Sequence, residues 1–370
     1  MKRTSFRRVA APGAAALALG LTLSACGAAN EQQATNSSAT VEGLSGTLNG
    51  GGASSQEAAQ NAWRAGFQQA NPEVTVNYDP IGSGGGREQF VSGGFAFAGS
   101  DSYLDNDEGE LDKATERCGE APIEVPAYVS PIAVIYNLEG VDNLQLSPET
   151  LAGIFAGDIK KWNDPAIAED NPDADLPAET INPVHRSDES GTTGNFTNYL
   201  GTAAPDAWTY GEIEVWPKKA GGEGGSGTSG VVSAVKSSVN SIGYADASQA
   251  GDLGVASVGV GDEFVDPNPE AAAKIFEVSP RVEGRADTSM VYDLDYDTEE
   301  SGVYPIVLTS YLMACPSYDD KASADLVKAY IDYVISDEGQ QTSAENAGSA
   351  PLSESVRSEA QSLVDQIQAG

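Results

Sequence analysis

Three short turns rich in serine and glycine, Ala53-Ser54-Ser55, Gly82-Ser83-Gly84 and Ser190-Gly191-Thr192-Thr193, each stand immediately before a stretch with helical spacing of apolar residues. Strand-like runs lie between them, so the chain is restricted to an α/β architecture built from strand, turn and helix units. In the first unit Ser54 and Glu57 have capping-box spacing, and Ala58, Ala59, Ala62, Trp63 and Phe67 share one helical face. Asn71-Pro72 ends that helix, and residues 74–78 alternate as a strand. The second unit predicts a loop at residues 82–86, a short helix from Arg87, and a strand over 95–98 that runs out into Gly99-Ser100-Asp101.

The same signals continue along the chain. A long apolar strand is expected over 125–136, a helix over 148–155 and a strand over 181–184. Helices over 193–200 and 231–239 precede a strand at 242–244. The acidic stretch 279–301 reads as an insertion or exposed loop with no assigned chemistry. Residues 304–308 read as a return crossing, followed by helices over 322–336 and 353–367. The roughly 325 residues of this folded part exceed what one hydrophobic core usually supports, so two lobes are expected. We place lobe 1 at 44–128 plus 304–370 and lobe 2 at 129–303, joined by two crossings that form a hinge.

The amino terminus carries Lys2, Arg3, Arg7 and Arg8 ahead of an uncharged apolar run over residues 9–23. That run is shorter than the ~20 residues a membrane span needs, and residues 1–25 read as a secretion signal. Its end, Leu23-Ser24-Ala25-Cys26-Gly27, resembles the bacterial lipobox, which predicts lipidation of Cys26; an ordinary signal peptide with a chance cysteine is the alternative. Residues 26–43 are small and polar, as suits a flexible tether. No later segment reaches membrane-spanning length. The other two cysteines, Cys118 and Cys315, would meet an oxidising compartment and are expected to form a disulfide, with two buried thiols as the alternative.

A formal charge of −35 argues against nucleic acid and against attraction to anionic lipid. It is compatible with an anion ligand only in a desolvated, donor-rich site, because salt screens the global charge over about 8 Å. The three serine-bearing turns supply such donors. The first amides of a helix have no intrahelical acceptor and sit at the positive end of its dipole, so they bind phosphate-like anions without a cation. A single turn of this kind is usually only a cap, and three are needed for the argument. Arg186, four residues ahead of Ser190, adds a guanidinium able to fork onto an oxyanion, or else to pair with Asp188.

The run Arg186-Ser187-Asp188-Glu189-Ser190-Gly191-Thr192 resembles the R-x-D-x-S-G-T signature of phosphate-binding proteins of phosphate ABC transporters. Residues 53–55, 82–84, 97–101, 154–164 and 242–244 resemble segments of that family in the same order, from about residue 46 to 335. The resemblance implies a two-lobe, type II periplasmic-binding-protein-like α/β fold and a lipid-anchored extracytoplasmic receptor. Such a receptor would hold inorganic phosphate without cofactor or metal and deliver it to an ABC permease. By the same resemblance Ser54 contributes a hydroxyl, and Ser55, where relatives often have Phe, contributes its backbone N–H. Ser83 donates from the second turn, Arg186 clamps, and Ser190, Gly191 and Thr192 donate from the third. Asp101 would accept the proton that phosphate carries and sulfate lacks; otherwise it is a strand-end turn residue. Asp188 is expected to orient Arg186.

Two other readings remain open at this level: a receptor for another tetrahedral oxyanion, sulfate or molybdate, and a secreted phosphatase using Ser54 or Ser190. The second lacks a base, since His185 is the only histidine. The glycine-rich run 221–230 has no lysine at the Walker position and reads as a loop before a helix, and Lys160 and Lys161 are left outside the site.

Overall fold

The computed structural model describes residues 43–106 and 109–370, with only the backbone of 276–278. The expected signal segment 1–25, Cys26 and nearly all of the tether lie outside the described residues.

The chain opens with strand β1 (Gly46–Gly52), whose last three residues are glycines. The glycines are needed for packing: a side chain at Gly50 would run into the Phe97 ring, and one at Gly52 into the Gly99 carbonyl. Helix α1 (Glu57–Ala70) buries Ala59, Gln60, Trp63 and Phe67, with Asn71 as its C-cap. The expected capping box is not formed: Gln56 is the N-cap residue, without a side-chain cap, and the Ser54 hydroxyl is engaged elsewhere. Strand β2 (Val74–Asp79) alternates buried and exposed residues, as its period-2 pattern requires. Helix α2 (Ser83–Val91) starts at Ser83, so Gly84, Gly85 and Gly86, expected in a loop, make its first turn. Gly86 there lies so close to Gly52 that a Cβ would clash with backbone.

Strand β3 (Phe97–Ser100) and helix α3 (Glu110–Cys118) lead to β4 (Ile123–Asn137), fifteen residues long and buried to its penultimate residue. Next come β5 (Gln145–Leu146), α4 (Pro148–Ala156), α5 (Pro165–Asp170), β6 (Asn182–Arg186) and α6 (Gly191–Ala203). Ser147 caps α4 and Ser190 caps α6. Strand β7 (Glu223–Gly225), α7 (Gly227–Ser237), β8 (Ser241–Asp246), β9 (Gly254–Val255), β10 (Ser257–Val260), β11 (Glu263–Val265) and α8 (Pro269–Val278) follow. The chain ends through β12 (Val307–Ala314), β13 (Ser317–Tyr318), α9 (Lys321–Ile335), α10 (Asp337–Ala347), α11 (Glu354–Val364) and β14 (Gln368–Ala369). Helix α10 lacks a periodic apolar face: it buries Gly339, Gln340, Ser343 and Ala347, and its signals are at its ends, Ser336 as N-cap and Gly348 as C-cap.

The main sheet runs β2-β1-β3-β12-β4-β8-β6-β7, with β9 also on β4. Strand β4 divides its pairing: residues 123–131 pair with β12, and 132–137 pair with β8. Where the partners change, Ile132 N donates to the Ile306 carbonyl at 2.7 Å, so the middle of β4 lies beside the chain that enters β12. The return strand begins at Val307, a little later than its expected start.

The acidic segment 279–301 has no helix or strand, as expected, but it is not simply an exposed loop. Met290, Val291 and Tyr296 are buried, because these apolar side chains are interspersed among the acids. Arg285 pairs with the fully buried Glu124, and Tyr296 Oη donates to Asn195 Oδ1 at 2.6 Å.

Cys118 and Cys315 form the disulfide, with Cα atoms 5.1 Å apart and a sequence separation of 197. Closing so long a loop removes much entropy from the unfolded chain, so Cys315→Ser is expected to lower stability by about 3–5 kcal/mol in urea denaturation. A loss below about 1 kcal/mol would contradict this.

Beside the crossing, Tyr128 Oη donates to both oxygens of Asp246 at 3.0 Å, and Ser248 N donates to Oδ1 at 3.0 Å. Burial pushes the Asp246 carboxyl up to about 6, although hydrogen bonds from Ser248, Ser130 and Tyr128 pull the other way. The folded state therefore holds a proton here that the unfolded chain, with a pKa of about 3.9, releases. This contribution to stability is complete below about pH 4 and is lost as pH rises through about 6, roughly 3 kcal/mol in all. Asp246→Asn cannot ionise, so its stability relative to the parent is expected to rise by that amount between pH 4 and 7. A pH-independent difference would exclude Asp246 as the titrating group.

Candidate functional site

The three serine-bearing turns meet. Ser54 and Ser55 enter from the end of β1, Ser83 from the start of α2 and Asp101 from the end of β3, while Arg186 ends β6 and Ser190, Gly191 and Thr192 open α6. Gly191 is buried, and each of the others is no more than 3% exposed. A Cβ on Gly191 would come within 2.8 Å of Ser83 Oγ and 2.9 Å of Asp101 Cβ and Ser102 N, so glycine permits the approach of the second and third turns.

Asp101 is the hub. Its Oδ1 accepts from Ser55 Oγ at 2.7 Å and Ser310 Oγ at 2.6 Å; its Oδ2 accepts from Ser55 Oγ at 2.8 Å and Thr192 Oγ1 at 2.8 Å. The side chain of Ser55, expected to contribute only backbone, thus reaches both carboxylate oxygens. Asp101 N donates to Ser83 Oγ at 3.1 Å, and Asn195 Nδ2 donates to the Asp101 carbonyl at 2.8 Å. Burial raises the Asp101 pKa, opposed by the hydrogen bonds from Ser310, Ser55 and Thr192 and by the charge of Arg186.

Arg186 is held in place by Asp188: Nε donates to Oδ1 at 2.9 Å and Nη2 to Oδ2, which leaves Nη1 directed at Thr192 Oγ1, 3.5 Å away. Burial alone would raise the Asp188 carboxyl, but Arg186 outweighs it and holds the group below its ordinary value. Asp188 Oδ1 also accepts from Gly227 N at 2.9 Å. Tyr244 Oη accepts from Arg186 N at 3.2 Å and hydrogen-bonds Thr193 Oγ1 at 2.7 Å, and burial pushes this phenol up to about 12.

Several participants escaped the sequence. Thr228, in the first turn of α7, donates its backbone N–H to Ser54 Oγ at 3.0 Å, and the two hydroxyls lie 3.1 Å apart. The glycine-rich run 221–230, which reads from sequence as a loop before a helix, therefore brings a fourth helix start to the site. Ser310 lies within β12 and is positioned by Gln56 Nε2, which donates to it at 2.6 Å. A lone serine in a strand carries no signal that could have marked it. Lys160 and Lys161 are exposed.

His185 stacks on Trp216 with ring centroids 4.8 Å apart, and its Nδ1 lies 2.8 Å from the Arg186 carbonyl, so it braces the β6 end rather than a serine. Among the described residues no group of three or more His, Cys, Asp or Glu is placed to hold a metal ion, and no helix is long and apolar enough to cross a membrane. Asp101 also borders a cavity of about 630 Å³, whose wall includes Arg87, Glu110, Glu189, Glu214 and Tyr311.

Residues 36–338 match the model of the PBP superfamily domain. The phosphate-binding protein PstS 3 of Mycobacterium tuberculosis is 37% identical over 363 residues, covering 94% of this chain and 95% of that protein. PstS2 of Mycobacterium bovis is 34% identical over 362 residues, with 94% and 95% covered. Among solved structures, a high-affinity periplasmic phosphate-binding protein bound with phosphate superposes with a TM-score of 0.68 at 22% identity, covering 86% of this chain and 93% of that one. The phosphate-binding protein of Stenotrophomonas maltophilia gives 0.65 at 18%, covering 86% and 94%. At these identities the structural matches speak for the fold.

Proposed function

Since this chain belongs to the PBP superfamily and, within it, to the family of the PstS phosphate-binding proteins, we propose that it is the receptor that captures inorganic phosphate and passes it to an ABC importer. The observation that carries the ligand assignment is the proton count around Asp101. A carboxylate offers about four acceptor positions, and Ser55, Ser310 and Thr192 bring three hydroxyl protons, since Ser55 has only one to share between the two oxygens. One position is left for a proton carried by the ligand. HPO₄²⁻ carries one such proton and H₂PO₄⁻ two; sulfate at neutral pH carries none.

The remaining ligand oxygens would take donors from Ser54, Ser55, Ser83, Ser190, Gly191, Thr192 and Arg186, and no cofactor or metal is required. Ligand closure would move lobe 1 (44–128 plus 304–370) against lobe 2 (129–303) about the paired crossings at Ile132 and Ile306. Cys26 would anchor the protein on the extracytoplasmic face of the cell membrane through its lipid, at the head of the tether 26–43.

The test is a ligand-free preparation titrated by calorimetry with phosphate, sulfate and arsenate. Tight binding of phosphate and arsenate with sulfate weaker by about 10³ supports the reading; equal affinity for sulfate overturns it. A chromogenic phosphate ester assayed alongside should remain intact, and hydrolysis abolished by Ser190→Ala would make the protein an enzyme.

A further inference from the structure

Arg87 lies one turn after Ser83 on α2 and is 5% exposed. On its own side of the cleft its Nε donates to Glu110 Oε2 at 2.7 Å and its Nη1 to Ser100 Oγ at 3.2 Å. The outer edge of the guanidinium faces across: Nη1 and Nη2 donate to the two oxygens of Glu214 at 3.2 and 2.6 Å, and Nη2 approaches Glu189 Oε1 at 3.5 Å. Such a two-pronged pair is among the stronger charge-assisted arrangements. Burial works against the charge of Arg87, but Glu214 and Glu110 outweigh it and raise its pKa.

The backbones of both acceptors are tied to the ligand turns. The Glu214 carbonyl accepts from Ser190 N at 3.1 Å, and the Glu189 carbonyl accepts from Gly84 N at 3.4 Å. The position of the Arg87 guanidinium and the position of the α6 start are therefore set together.

The surroundings make this contact decisive for closure. The cavity beside Asp101 is also walled by Asp105, Glu110, Glu189, Glu212, Glu214 and Asp293, and among the described residues lining it Arg87 alone is a cation. Bringing acidic walls together is opposed by Coulomb repulsion that grows as water leaves. A guanidinium inserted between them reverses the sign locally.

We propose that Arg87 and Glu214 form a latch across the cleft, made only when the cleft is shut, that retains bound phosphate; this rests on the phosphate-receptor reading above. On opening, Arg87 keeps Glu110 and Ser100 while Glu214 returns to water, so the fold loses little and the closed state loses its tie. The pair acts through the turns it positions and does not itself touch the ligand.

Glu214→Gln removes the charge across the cleft and leaves Arg87 with Glu110. With radiolabelled inorganic phosphate, the parent first establishes whether phosphate is bound at all; absence of binding there sinks the receptor reading, not the latch specifically. Given binding, Glu214→Gln is expected to speed phosphate dissociation about tenfold with an unchanged association rate, because a contact formed after encounter acts on release. The melting temperature of the ligand-free protein should stay put, and the rate difference should shrink as salt rises. Arg87→Lys, which cannot fork, should give an intermediate release rate. An unchanged dissociation rate in both variants overturns the latch, as does a drop in ligand-free melting temperature large enough to account for the affinity loss.

Discussion

Asp101→Asn is expected to narrow the gap between phosphate and sulfate affinities by a factor of about 10³. The argument follows from what the amide does to the hydrogen-bond network. Asn keeps one acceptor oxygen for two of the three hydroxyls that now meet Asp101, and its NH₂ replaces the other oxygen with donors. The ligand would then meet an N–H where it met a carboxylate. Phosphate loses the acceptor for its proton, whereas sulfate, previously set lone pair against a buried anion, gains a donor. Phosphate binding should weaken and sulfate binding strengthen, in parallel titrations at pH 7. Because Asp101 is buried among neutral hydroxyls that rotate to donate or accept, the change in charge is not expected to unfold the site. Parent-like selectivity in this variant would remove the proton filter.

Arg186→Ala is expected to weaken phosphate binding by about 2–5 kcal/mol, the range found when one member of a buried charge pair is truncated. The loss has two parts. The ligand gives up its guanidinium, and Asp188 is left as an anion beside the site, with Gly227 N as a remaining partner. Removing the cation thus also installs a repulsive charge. Arg186→Lys should recover only part of the loss, since an ammonium lacks the planar fork that sets two parallel bonds to Asp188 and points a further nitrogen toward Thr192 and the ligand. Calorimetry with phosphate decides it, and an affinity within threefold of the parent would place Arg186 outside the pocket.

Strand and helix types were legible where the apolar period was strong, as in α1, β2, β4 and α9. The errors fell where function or close packing overrides local rules. The Ser54–Glu57 spacing announces a helix cap, but Ser54 is held by Thr228, 174 residues away, so the local cap is forgone. Residues 46–52 carry no strand signal because glycine is a poor strand former, but here glycine lets β1 pass under Phe97. The acidic stretch 279–301 looks solvated because its charges dominate the average, although a few apolar side chains within it are enough to pin it.

What the amino-acid sequence determined by itself is the inventory of local devices: helix starts bearing serine, threonine and glycine, an arginine with its aspartate two residues on, and a lone acid at a strand end. These depend on neighbours within a few positions, and so they leave a readable pattern. Only the tertiary structure decided that the devices share one buried place, that Ser310 joins Asp101 from 209 residues away and that Arg87 reaches Glu214 from 127. Contacts at such separations arise from strand order and register, which bring distant backbone together through burial of whole faces, and no short stretch of sequence encodes them.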